Sequence, residues 1–324
     1  MSNLPSGIAL SPRSLHDLAA RHGGVVNGIN PSKAVVRRIV PIRRAGAGDL
    51  APLLGARYLA DALEALGRGA FLLIDGVLAE REDVGALPGW FHPHAAWTLA
   101  ELLDSADAPA DEPVIGDDCR IGRGVILMPR VRLGARVTIG AGAVIGDAGF
   151  GFASGPDGAM RAIPHLGGVF IEDDVHIGAL CTIGAGTISP TILRRGVKLD
   201  AQVHVGHNCD IGEGTVIAAQ TGLAGSVVVG RGVLMGGQVG VGDHVTIGDG
   251  ARIAGKSGVI GDVTAGSTVA GYPAVERQRW LRGLAELYRL AASRGSLAPG
   301  EDPGGSTPVP RGLSDPPAGK TDAR

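Results

Sequence analysis

The apolar positions of this chain keep a period of six over most of its length. From Ile115 a branched aliphatic residue, usually followed by glycine, returns at Ile121, Leu127, Leu133, Ile139 and Ile145. A shorter run follows at Ile171, Ile177 and Ile183, and after a slip near Ser189-Pro190 a third run begins at Leu193. It passes through Leu199, Val205, Ile211, Ile217, Leu223, Val229, Met235, Val241, Ile247 and Ile253 to Val259 without a missed beat. An amphipathic helix would repeat near 3.6 residues and a half-buried strand near 2, so a period of six demands short strands separated by tight turns. Stacked turns of this kind build a parallel β-helix.

The regions outside the repeat read differently. Between Gly146 and Phe170 an excursion, residues 147–169, carries Asp147-Ala-Gly-Phe-Gly-Phe-Ala-Ser-Gly-Pro-Asp-Gly and is too long for a corner of a coil. A surface hairpin around Pro156-Asp157-Gly158 and a substrate-contacting loop are equally good readings of it. Ahead of the repeat, behind a flexible N-terminus of residues 1–13, residues 14–104 predict a separate α/β domain. Its helix runs over Ser14–His22 to a stop at Gly23-Gly24, and its strands lie at Val35–Val40 and Ala70–Ile74. The β-helix domain spans 105–274. Beyond it Trp280, Leu284, Leu287 and Ala291 fall on one face of a helix within 275–294, which needs a partner to bury that face. Residues 295–324 are rich in Pro, Gly, Ser and Asp and predict a disordered tail.

Composition narrows the function classes. The 324 residues hold 54 glycines but only 3 Trp, 3 Tyr and 5 Phe, so the core is aliphatic and glycine serves repeated turns. Thirty basic against 32 acidic side chains, with no basic run, argue against nucleic acid as a partner. No transmembrane segment or leader-like stretch is predicted, which points to a soluble cytoplasmic protein. Cys119, Cys181 and Cys209 lack paired spacing and read as buried apolar side chains.

Three segments carry a resemblance. They are Leu199-Asp-Ala-Gln-Val-His-Val-Gly-His207-Asn208, Ala218-Ala-Gln-Thr-Gly-Leu-Ala-Gly-Ser226 and Gly236-Gly-Gln-Val-Gly-Val-Gly-Asp-His244. With Gly149-Phe-Gly-Phe152, Arg44-Ala-Gly-Ala-Gly-Asp-Leu50 and Ala270-Gly-Tyr-Pro-Ala they are similar to the UDP-3-O-acylglucosamine N-acyltransferases of lipid A biosynthesis. The resemblance implies a mainly β fold, a left-handed parallel β-helix of three hexads per triangular coil, with an N-terminal α/β nucleotide-binding-like domain and a C-terminal helix. It also implies a homotrimer with sites between neighbouring prisms. The implied reaction moves a hydroxyacyl group from acyl carrier protein to the 2-amine of an acylated UDP-glucosamine, with no cofactor beyond the donor's acyl-phosphopantetheine. The family's general base then falls on His207, its orienting carboxylate on Asp200, its oxyanion-binding backbone N–H on Gly225, and its phosphopantetheine side on His244, Asn208 and Ser226.

The spacing fits this chemistry. Val205, Leu223 and Val241 are eighteen apart, so with three hexads per coil His207, Gly225 and the neighbourhood of His244 share one face, the outer pair roughly 9.6 Å apart. Aminolysis of a thioester needs a group to take the amine's proton, and imidazole suits that role. The acceptor side departs from the pattern: Pro52 and Gly55 stand where the family carries a base-stacking Phe and an Asn, leaving Tyr58 as the nucleotide-stacking candidate. His165, His176 and His204 read as surface positions between hexads. An acetyl-CoA-dependent acetyltransferase on another amino sugar, a zinc hydratase built on these histidines and a non-catalytic trimeric paralogue are the competing readings.

Overall fold

A computed structural model describes residues 7–106, 111–271 and 276–293. The hexads form a three-sided prism of parallel strands, with seven, eight and seven strands on its sides. Register shows three hexads per turn: Leu193 lies opposite Ile211 and Ile211 opposite Val229 on one side, Val205 opposite Leu223 and Leu223 opposite Val241 on another. Every repeat aliphatic from Leu193 to Val259 is buried. Each corner turns through a left-handed residue, which is glycine at Gly196, Gly214 and Gly232 but Gln202, Gln220 and Gln238 on the second corner and Asn208, Ser226 and His244 on the third.

A second inward column escaped the reading of the sequence. Two residues before each aliphatic, Val203, Cys209, Thr215, Thr221, Val227 and Val233 also point into the prism. Small side chains fit this column because their polar atoms can reach a carbonyl of the next coil: Cys209 Sγ donates to Ala224 O at 3.2 Å, Thr215 Oγ1 to Gly230 O at 2.8 Å and Thr221 Oγ1 to Gly236 O at 3.0 Å. Cys181 and Cys209 are thus core residues, and burial pushes the Cys209 thiol up to about 12; Cys119 is only half-buried.

The N-terminal region is a six-stranded sheet flanked by helices. Its elements are β1 (Ile8–Ser14), α1 (Leu15–His22), β2 (Val25–Asn27), β3 (Val35–Ile39), β4 (Asp49–Leu53), α2 (Leu59–Gly67), β5 (Phe71–Asp75), α3 (Glu82–Gly85), β6 (Gly89–His92) and α4 (Ala95–Asp104), with strand order β1-β3-β4-β5-β6-β2. β1 corrects the expectation of a flexible leader through residue 13: it pairs with β3, setting Ile8 against Ile39. α1 starts where expected because Ser14 accepts the Asp17 N–H, and it stops at Gly23, whose φ of 87° suits glycine.

Both irregularities of the repeat tie this region to the prism. The excursion is a hairpin, Phe152–Ser154 against Met160–Ala162, laid on α4. Gly155 leaves room for the Trp97 ring, Arg161 lies 5.4 Å from that ring's centroid, and its guanidinium pairs with Asp104 at 2.6 Å. The slip before Pro190 sends Ile188 into the N-terminal core beside Leu50, Leu73 and Leu99. A C-terminal helix, α5 (Arg277–Ser293), carries Trp280, Leu284 and Leu287 as the sequence predicts, with Trp280 and Leu287 exposed. The tail at 295–324 lies outside the described residues. No helix among the described residues is long and apolar enough to cross a membrane.

Candidate active site

His207 sits on the third corner of the prism, one residue before the left-handed Asn208. Its ring is held from several directions. The Asn208 carboxamide is oriented by the slip, since its Oδ1 accepts the Thr187 N–H at 2.7 Å and its Nδ2 donates to Thr187 Oγ1 at 3.1 Å. A backbone N–H can only donate, so Nδ2 also faces His207 Nδ1, at 2.8 Å, and that nitrogen accepts. From the excursion, His165 packs edge-on against the His207 ring with centroids 4.8 Å apart. Gly149 closes over both rings; a Cβ there would lie 2.5 Å from His207 Cβ and 2.7 Å from His165 Nε2.

The open edge of His207 faces the next coil. A Cβ on Gly225 would stand 2.6 Å from both Cε1 and Nε2, so only glycine lets the backbone come this close. Ala224 N and Ser226 N donate to Val241 O and His207 O, while the Gly225 N–H has no partner among the described residues. One coil further, His244 N donates to Gly225 O at 3.0 Å, so His207, Gly225 and His244 share a corner on successive coils.

Burial disfavours the charged form of the three histidines packed here. His207 is held below its ordinary value by desolvation, against the opposing Phe150 backbone carbonyl and with help from nearby His204. His165 is pushed down to about 4 by burial and then by its neighbour His207, with the Ile163 backbone opposing, and neither of its ring nitrogens has a well-formed hydrogen bond among the described residues. His244 is lowered by burial and by the Arg57 charge, with Asp243 opposing. All three are neutral near pH 7, so His207 is able to take up a proton.

The structure separates Asp200 from this cluster. Seven residues are one hexad and one more, which carries the chain round to a different corner, and the Asp200 carboxylate accepts its own neighbour Ala201 N at 2.7 Å. Within one chain the partner of the His207 ring is therefore Asn208. Ser226 lies beside Gly225 on the shared corner. His204 is on an outer face, bonded through Nδ1 to Thr182 Oγ1 at 2.7 Å, and His176 is exposed on a neighbouring side. Tyr58, read as a nucleotide-stacking residue, instead meets His244: its hydroxyl is 2.8 Å from Nδ1. Pro52 lies in β4, and Gly55 opens the short turn Ala56–Tyr58. His165 and Thr187 were missed as site residues. The signal for both was their place in the two breaks of the repeat.

Comparison with known proteins gives this geometry a family. Residues 112–147 and 190–225 match the family described as bacterial transferase hexapeptide (six repeats), and residues 168–201 match the hexapeptide repeat of succinyl-transferase. A Caulobacter sp. (strain K31) protein named UDP-3-O-acylglucosamine N-acyltransferase is 36% identical over 90% of this chain and 97% of its own length. The chain belongs to that acyltransferase family. The protein of the same name from Anaeromyxobacter dehalogenans (strain 2CP-1 / ATCC BAA-258) is 43% identical over 58% of this chain and 54% of its own. Among solved structures, the UDP-N-acetylglucosamine acyltransferase from Campylobacter jejuni is similar at a TM-score of 0.43 and 22% identity, covering 60% of this chain and 85% of that one. The protein is thus an acyltransferase, and its histidine corner is the candidate active site.

Proposed function

We propose that this acyltransferase moves a hydroxyacyl group from the phosphopantetheine thioester of acyl carrier protein to the 2-amine of a UDP-3-O-acyl-glucosamine, a step of lipid A biosynthesis in the cytoplasm. The observation that carries the reading is the close approach of the His207 ring to the Gly225 backbone on the corner that also holds His244. The amine attacks the thioester carbonyl, and neutral His207 takes the proton the amine sheds onto Nδ1, the nitrogen that holds its lone pair. The Gly225 N–H meets the oxyanion that develops on the carbonyl oxygen. The tetrahedral adduct then collapses, the C–S bond breaks, and the phosphopantetheine sulfur leaves as the thiol with the proton His207 returns. His244, Asn208 and Ser226 flank the path of the donor arm. Aminolysis of a thioester asks for a proton acceptor and an oxyanion donor, and no further cofactor enters the scheme.

A homotrimer with sites between prisms fits the placement of Asp200. Its corner and that of His207 differ within one chain, so a carboxylate-imidazole contact belongs between two copies, where the Asp200 of one would face the corner of the next. The 36% identity to a protein named for this reaction, along nearly the whole chain, supports the acceptor assignment. The test is a mass-spectrometric assay with hydroxyacyl carrier protein and UDP-3-O-acyl-glucosamine, comparing the native protein with His207→Ala. N-acylated product from the native protein alone is the expected result; equal product from the variant would overturn the role of His207.

A further inference from the structure

The N-terminal region reaches across to His244 on the prism. Tyr58 closes the turn Ala56–Tyr58 between β4 and α2, and its ring packs against the N-terminal core that contains Ala62, Ala65 and Leu53. From that footing its hydroxyl spans to His244 Nδ1 at 2.8 Å, with ring centroids 6.2 Å apart and planes at 61°. The Arg57 guanidinium lies 5.6 Å from the centroid of the Tyr58 ring. A tyrosine kept for stacking on a nucleotide base would leave a face open and its hydroxyl uncommitted. Here the hydroxyl is committed to an imidazole on the prism.

We infer that Tyr58 is a positioning residue for His244: its hydroxyl fixes the imidazole through Nδ1 and so directs Nε2 toward the acyl-bearing arm of the donor. This rests on the reading of His244 as a donor-side residue. A neutral imidazole has one N–H and one lone pair, and which nitrogen carries the proton follows from the bond the other makes. When the tyrosine O–H donates to Nδ1, the proton of the ring sits on Nε2, where it can donate to a carbonyl of the arm. The effect acts on the donor and leaves acceptor binding alone, which separates it from base stacking.

Tyr58→Phe is the discriminating variant, because it keeps the aromatic face and removes only the hydroxyl. With donor and acceptor varied separately, kcat/KM for hydroxyacyl carrier protein is expected to fall about three- to tenfold, the range of one neutral hydrogen bond, with KM for UDP-3-O-acyl-glucosamine unchanged. Combining Tyr58→Phe with His244→Ala should cost no more than His244→Ala alone. Unchanged donor kinetics in Tyr58→Phe, or a raised acceptor KM in its place, would overturn the inference while leaving the His207 chemistry intact. A readout independent of turnover is the 15N spectrum of the His244 ring. Its Nδ1 resonance should move when the hydroxyl is removed, and an unmoved resonance counts against the inference whatever the acceptor proves to be.

Discussion

Replacing Gly225 with alanine tests the geometry on which the chemistry depends. The new Cβ would stand 2.6 Å from His207 Cε1 and Nε2, against an ordinary contact of 3.4 Å or more. The imidazole must therefore retreat by about 0.8 Å, and it has little room to do so. Asn208 holds Nδ1 at 2.8 Å, His165 lies 4.8 Å away between centroids, and Gly149 abuts its Cβ. A displacement near 1 Å at a reacting group costs on the order of 100-fold in rate. Gly225 is not among the glycines with positive φ, so alanine introduces no backbone strain and the fold is expected to survive. Gly222→Ala, on the same coil with nothing within 4 Å of the added carbon, is the control. The measurement is initial rate of N-acyl product, with a thermal melt to confirm folding. Full activity in a folded Gly225→Ala protein would refute the claim that the ring works against this stretch of backbone.

Asn208→Gly keeps the left-handed turn, where Asn208 has a φ of 60°, and deletes the tether between Thr187 and the ring. Turnover should drop roughly tenfold, the worth of one hydrogen bond at the upper end of its range, as single-turnover rates would show; an unaltered rate would mean the ring is held without it. Acid stability gives a second check. With His165 at about 4 when folded and near 6.5 when unfolded, the unfolded chain binds the extra proton, so stability is full above 6.5 and is lost as pH falls toward 4. Thermal melts of His165→Gln should therefore decline less steeply than those of the native protein across that window, and parallel curves would contradict the burial argument.

The prism was legible in the sequence because one rule, an inward aliphatic every sixth residue, repeats with little interference. Val205, Leu223 and Val241 could be placed on one side once the resemblance supplied three hexads per coil, and the register bears this out. The same arithmetic explains where legibility ended. Asp200 and His207 are close in sequence but the turn between them separates them, while Thr187 reaches Asn208 only because the slip lengthens one coil. His165 stood in a segment with no periodicity, so the break in the repeat marked the segment without saying that it would fold back to pack His165 against His207. Tyr58 and His244 are 186 residues apart, and their bond follows from how α4, the hairpin and Ile188 dock the N-terminal sheet, a matter of packing that no window of residues records.

The even register from Leu193 to Val259 also sets how the prism's length can vary. Because Val205, Leu223 and Val241 follow at intervals of one full turn, an insertion or deletion within the strands keeps every inward column in phase only as a whole coil of eighteen residues, whereas at a corner extra residues can loop outward, as the excursion and the slip do. A coil gained after Val259 would extend the molecule by about 4.8 Å and leave the chemistry alone. The same coil inserted between His207 and Gly225 would part imidazole from amide, and one placed between Gly225 and His244 would carry His244 beyond the reach of Tyr58. Whole-coil differences among relatives that retain this chemistry should therefore gather beyond the corner of His244 or ahead of the excursion.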